Sequence, residues 1–227
     1  MPPAPRRSRP DPGAEQVMTV ETANGVARVH CWRPARARGV VALGHGAGPS
    51  LTTVDLVAAR VAAVRAGWAV ALVEQPWLVA GGRVAARPPV LDAAWTEVVP
   101  AVRSRGGALA TVRGPLVVAG RSAGARVACR TADALGAERV LCLSFPLHPP
   151  GRPDRPRDDE LRGVVTTGLP VHVVQGLADP FGSPAEIAAA VAGLPHDLAG
   201  LHPVTGTHTI PAGSAGAVEA AVTAALG

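Results

Sequence analysis

The sequence predicts an α/β domain in which a β-hairpin is followed by repeated strand–helix units, giving a parallel sheet with helices on both faces. Three observations carry this. Short apolar runs recur between residues 39 and 174, longer amphipathic stretches separate them, and an Asn24-Gly25 pair joins two strand-like segments ahead of them. Continuous apolar runs, rather than period-two alternation, suit strands buried on both faces. A length of 227 residues fits one domain of this class.

The elements follow in order. Residues 1–13, rich in Pro and Arg, contain no apolar signal core and read as a flexible tail, which leaves residues 14–227 as the single domain. Residues 16–20 and 26–32 form the hairpin, because Asn-Gly supplies the positive φ angles of a tight turn. Strands are expected at 39–43, 68–73, 115–119, 140–143 and 171–174, with a last one around His202. Helices are expected at 54–66, 90–105, 123–135, 184–192 and 215–226. Pro88-Pro89 precedes the second, while Gly136 and Gly193 end the third and fourth, the usual punctuation of helices. Residues 145–157 form a patternless Pro/Arg-rich loop after a strand, over the sheet edge where ligands bind in open α/β folds. The mixed charges that run through it (Arg152, Arg155 and Arg157 against Asp154, Asp158, Asp159 and Glu160) read as a solvated loop. So short an insertion leaves little material for a lid or cap domain.

Composition excludes several classes. Hydrophobic residues make up 48% and charged ones 17%, which is ample for a core and too apolar for disorder. No stretch approaches the roughly 20 apolar residues of a membrane span, so no membrane partner is expected and a cytoplasmic location is the default. The net charge is only +5, and Arg6, Arg7 and Arg9 against Asp11 supply part of it. Without zinc-ligand spacing or basic residues interleaved with aromatic ones, no nucleic-acid partner is expected. Cys31, Cys129 and Cys142 form no CxxC and read as small buried residues of a reducing compartment.

The chemistry lies at the strand ends. Residues 115–119 run into Gly120-Arg121-Ser122-Ala123-Gly124, a G-x-S-x-G between a strand and a helix. A serine hydroxyl attacks a carbonyl at neutral pH only with a base in reach and an acid to orient that base. Asp179, in the short loop after residues 171–174, supplies the acid. The base is one of His196, His202 and His208, and placement just past the last strand favours His208. Gly44-His45-Gly46-Ala47-Gly48 follows an early strand; its Ala47 amide and that of Ala123 are the candidate oxyanion donors, with His45 bracing the loop. Gly46, Trp77, His148 and Phe181 are candidate substrate-binding residues. Core packing is the alternative for Trp77, and a structural loop role for His148. Arg121 either pairs with a nearby acid or meets an anionic substrate. The triad also has plain alternatives: Ser122 as a helix N-cap, Asp179 as a turn residue or helix cap, His208 as a surface histidine.

Together, Leu43-Gly-His-Gly-Ala-Gly48, Glu74-Gln-Pro-Trp77, Gly120-Arg-Ser-Ala-Gly124, Phe145-Pro-Leu-His-Pro-Pro-Gly151, Gln175-Gly-Leu-Ala-Asp-Pro-Phe181 and Gly206-Thr-His208 resemble the α/β-hydrolase superfamily. The resemblance runs from about residue 16 onward and is nearest to a small, lidless, dienelactone-hydrolase-like branch. That branch includes a testis-expressed protein and a chromatin acetyltransferase complex subunit. It implies a mostly parallel sheet of about eight strands and Ser122, Asp179 and His208 as the triad. Members often carry an acidic residue before the histidine, where this chain has Thr207.

The expected function is a serine hydrolase acting on a small acyl compound, an ester or thioester, through an acyl-enzyme. No metal or cofactor is implied, because the sequence holds neither a ligand cluster nor a dinucleotide glycine motif. The competing expectation is a catalytically weak or inactive hydrolase-like module that binds a partner protein. The sequence is silent on oligomeric state.

Overall fold

The computed structural model describes residues 13–227. The expected tail lies outside the described residues except for Gly13. The chain begins with β1 (Glu15–Thr22) and β2 (Gly25–Trp32), then β3 (Val40–Gly44), α1 (Val54–Arg65) and β4 (Ala69–Glu74). A one-turn helix α2 (Pro76–Val79) and the long α3 (Pro88–Arg103) lead to β5 (Leu116–Arg121), α4 (Ala123–Thr131) and β6 (Arg139–Leu143). The chain closes with α5 (Asp159–Thr166), β7 (Val171–Gly176), α6 (Pro184–Val191), β8 (Gly200–Val204), a 3-10 turn (Ala212–Ser214) and α7 (Ala215–Leu226).

The eight strands form one sheet in the order β1-β2-β4-β3-β5-β6-β7-β8. The β1–β2 and β2–β4 pairs are antiparallel and every other pair is parallel. All the parallel strands therefore deliver their following loops to one edge, where the elbow at Ser122 and the loops carrying Ala47, Asp179 and His208 converge.

The uninterrupted apolar runs have a direct explanation in packing. Strand β3 is buried along its whole length. Val40 and Ala42 face one apolar layer, with Trp95, Val98 and Val102 of α3 and Val127 of α4. Val41 and Leu43 face the other, with Leu56 of α1 and Val222 and Leu226 of α7. A strand with helices on both sides has no solvent face on which to show polar residues.

Two expectations change. Helix α4 ends at Thr131 rather than Leu135, and turns carry the chain to Gly136. The charged run ending at Glu160 is not wholly a solvated loop, because Asp158 takes the N-cap position of α5, without a side-chain capping bond, and Asp159 begins the helix. Leu161, Val164 and Val165 bury one side of that helix, and Glu160 accepts hydrogen bonds from Arg126 and Arg130 of α4. Eight residues are too few for periodicity to stand out against adjacent charges, so tertiary packing decides this helix.

On the outer strands, His172 of β7 and His202 of β8 stack with ring centroids 5.6 Å apart, Nδ1 of one 3.3 Å from Nε2 of the other. Burial, then Arg139 and the His202 ring, push the His172 imidazole down to about 4, against an ordinary value of 6.5. Folding thus favours neutral His172, and its contribution is complete above pH 6.5 and lost as pH falls towards 4. We expect the urea midpoint to drop across that window, and His172→Gln to flatten the drop. An equal drop in the variant rejects the assignment.

Candidate active site

Strand β5 ends at Arg121 and α4 begins at Ala123, so Ser122 sits alone on the turn between them. Its φ of 52° lies in the left-handed region, a strained conformation for a residue with a side chain. The Ser122 amide donates to Leu143 O at 2.9 Å, fixing the turn to the neighbouring strand end. The helix lies very close to the sheet here. A Cβ on Gly124 would sit 2.6 Å from the Gly44 carbonyl carbon, and one on Gly120 would collide with the Gly124 backbone. Ser122 does occupy the N-cap position of α4, yet its side chain caps nothing. Its Oγ lies 2.9 Å from Nε2 of His208 instead.

Nδ1 of His208 faces the Asp179 carboxylate, 2.9 Å from Oδ2 and 3.2 Å from Oδ1. The Asp179 side chain is fully buried. It is not left bare: the Phe181 amide donates to Oδ1 at 2.9 Å and Gln175 Nε2 to Oδ2 at 3.0 Å. A carboxylate only accepts, so the imidazole proton belongs on Nδ1, and Nε2 is free to accept from the Ser122 hydroxyl. Helix α6 has its own cap in Ser183 and Glu186, which form a reciprocal capping box. His202 lies within β8 and pairs with His172, and His196 precedes that strand against Gly168.

The early loop is held by His45, buried to 3% exposure. The Gln75 amide donates to its Nε2 at 3.2 Å, so Nδ1 carries the proton and donates to Gly46 O at 2.7 Å. Burial pushes this imidazole below its ordinary value, and the neutral tautomer is the one both bonds require. Among the described residues, neither the Ala47 nor the Ala123 amide has a protein acceptor. Both residues border a cavity of about 380 Å³ together with Ser122, His208 and Phe181. The Phe181 ring covers the imidazole, with centroids 4.1 Å apart.

The other candidates are placed differently. Gly46 lies against Arg121 and Ser122, where a Cβ would approach Arg121 Nη1 to 2.8 Å. Trp77 packs its ring on His45 and, with Gly46, lines a narrow neighbouring void rather than the Ser122 cavity. His148 turns to Pro149 O at 3.0 Å and Glu186 Oε1 at 3.2 Å, bracing its loop on α6. Arg121 pairs with an acid: Nε donates to buried Asp55 at 3.0 Å and Nη2 to His208 O at 2.7 Å.

Sequence reasoning passed over Gln175. This side chain is wholly buried, its Oε1 accepting from the Phe145 amide and its Nε2 donating to Phe145 O, Asp179 Oδ2 and Gly182 O. It ties together the ends of β6 and β7. The signal available was an amide at the end of an apolar strand, which demands buried partners.

The sequence profile of a family described as an alpha/beta hydrolase domain matches residues 37–212. The chain belongs to this α/β-hydrolase family. Similar solved structures include an alpha-beta serine hydrolase homologue from Coxiella burnetii, with TM-score 0.76, 13% identity, and coverage of 93% of this chain and 97% of that one. A lidless serine hydrolase from Xanthomonas campestris gives TM-score 0.73 and 18% identity, covering 95% of each chain. A thermostable esterase from Pseudomonas putida gives 0.66 and 15%, covering 93% and 81%. No curated protein matches significantly. As in the lidless α/β-hydrolases, no cap domain interrupts the fold among the described residues; the segment between β6 and β7 holds only α5. Also among these residues, no helix is long and apolar enough to cross a membrane, and no cluster of three or more His, Cys, Asp or Glu is placed to hold a metal.

Gly120→Ala forces the elbow backbone apart and should cost about 3 kcal/mol, against about 1 kcal/mol for Gly136→Ala, whose left-handed site is open. Urea unfolding compares them, and equal costs would dismiss the close-approach argument. Gln175→Leu fills the same space but orphans several buried polar groups, so about 3 kcal/mol should be lost. A change within experimental error in the same measurement would remove Gln175 from its central place.

Proposed function

We propose that the protein is a serine hydrolase that cleaves a small carboxylic ester or thioester. The observation that carries the reading is the unbroken path from Ser122 Oγ through His208 to Asp179, with 2.9 Å at each of its two shortest links. Ser122 attacks the acyl carbonyl as Nε2 of His208 takes its proton. Asp179 holds the imidazole in the Nδ1–H tautomer and stabilises the imidazolium that forms. The Ala123 and Ala47 amides donate to the oxyanion; Ala123 begins α4, so its amide points out of the helix N-terminus, where partial positive charge gathers. The imidazolium then gives its proton to the departing alcohol or thiol, and water, activated by the same histidine, releases the acid. Arg121 and Gln175 act as positioning residues, one through the His208 backbone and the other through the Asp179 carboxylate.

The first test is covalent labelling by a fluorophosphonate, which wild type should undergo and Ser122→Ala should not. On a hydrolysed ester, Ser122→Ala and His208→Ala should each lower kcat by roughly 10⁵-fold, and Asp179→Asn by about 10⁴-fold. The Ser122/His208 double variant should lose little more than either single one, because the residues act as a unit. Losses that multiply would argue against the two residues acting as one unit; a wild type that never labels, or labelling unchanged in Ser122→Ala, would favour the partner-binding module instead.

A further inference from the structure

Three hollows meet beside the early glycine loop. The first is the cavity of about 380 Å³ bordered by Ser122, His208, Ala47 and Ala123. The second is the narrow void of about 10 Å³ against Ala123, walled by Gly44, Gly46, Trp77, Trp95 and Val127. The third, of about 110 Å³, lies between α2 and α3 and reaches Asn24 of the hairpin turn. Among the described residues, Leu91 alone borders all three.

Leu91 is firmly placed. It lies near the start of α3, is 7% exposed, and its carbonyl accepts from Gln75 Nε2 at 3.2 Å. Gln75 is itself buried and its own amide donates to His45, so Leu91 is tied to the loop that presents the Ala47 amide. Its side chain is a fixed partition between the Ser122 cavity and the two hollows behind it. Ala85 and Ala86 complete that partition, but each carries a single methyl and cannot close it alone.

The direction of the substrate follows from the chemistry. The leaving oxygen must lie by Nε2 of His208 to receive its proton, and the carbonyl oxygen must face the Ala47 and Ala123 amides. The acyl chain takes the direction that remains. Neither hollow behind Leu91 is walled by His208 or Phe181, while the narrower one is walled by Ala123, so Leu91 stands at the acyl end of the cavity. The surface there, formed with Ala85, Ala86 and Pro88, offers carbon and no charge.

We infer that the acid portion of the substrate is a short apolar acyl group, and that Leu91 sets its length by closing the cavity against the hollows behind it. This deepens the hydrolase reading and rests on it. Leu91 is then a specificity-determining residue that takes no part in the proton transfers.

The p-nitrophenyl esters of acetic, butyric and octanoic acid test it, since the leaving group is constant and only the acyl chain grows. In wild type, kcat/KM for octanoate should lie about tenfold or more below that for butyrate. Leu91→Ala removes three carbons from the partition; at about fourfold per methylene newly buried, the octanoate-to-butyrate ratio should rise more than tenfold. Leu91→Phe should lower butyrate relative to acetate. Val127→Ala widens the narrow void without touching the Ser122 cavity and should leave the ratio as it is. Ethyl and hexyl acetate, which vary the alcohol instead, should keep their relative rates in Leu91→Ala. Where circular dichroism shows Leu91→Ala unfolded, Leu91→Val should move the ratio in the same direction by about fourfold. A wild-type ratio at or above one, a ratio unmoved in the folded Leu91 variant, or an equal movement in Val127→Ala overturns the inference while the hydrolase reading stands. So does a change in the alcohol series as large as that in the acyl series, or fluorophosphonate labelling of Ser122 with none of these esters turned over. No labelling at all removes the hydrolase reading, and this inference with it.

Discussion

At the carboxyl edge of the sheet, backbone meets backbone with no side chain between. Gly124 of α4 lies against Gly44 at the end of β3, and Gly120 against Gly124 itself. That contact brings the helix down onto the strands and forces the intervening residue, Ser122, into a left-handed turn. A serine in ordinary extended or helical geometry would point along the sheet or into the helix. Strain at this one position presents its hydroxyl to the His208 loop, and the apolar layers on both faces over-determine the turn enough to hold it.

Around that turn, three buried polar side chains are tied into hydrogen-bond networks, although Ser144 Oγ and Gln75 Oε1 nearby have no partner among the described residues. Gln175 uses its amide to join the backbone after β6 to the loop after β7, and hands one bond to the Asp179 carboxylate. His45 accepts from Gln75 and donates to Gly46, fixing one tautomer. Arg121 ties the His208 backbone to Asp55 on α1. In a low-dielectric interior each unpaired member would be costly, so these networks are rigid by necessity. Each fixes a different loop of the site: the acid loop, the early glycine loop and the histidine loop.

Arginine serves two purposes in this chain, which has no lysine. Arg126 and Arg130 join α4 to α5 and α3 through planar forks onto Glu160 and Asp92, a geometry an ammonium cannot reproduce. The charged run that reads as a solvated loop is, at Glu160, part of this internal clamp. Its neighbour Arg157 stays outside the clamp at the rim of the cavity.

Patterns local in the chain carried the sheet and the elbow. Doubly buried strands must be apolar throughout, a hairpin needs Asn24-Gly25, and a helix touching a strand needs glycine at Gly120 and Gly124, so each leaves a mark within a few residues. Helix α5, the Gln175 hub, and the turning of His148 and Trp77 away from the Ser122 cavity left no such mark. Their positions follow from contacts with residues far away in sequence: Glu160 with Arg126 and Arg130, Gln175 with Phe145, His148 with Glu186, Trp77 with His45. A side chain's partners across space are fixed only when the packed elements meet, and burial then leaves a polar group no partner but the one that packing provides.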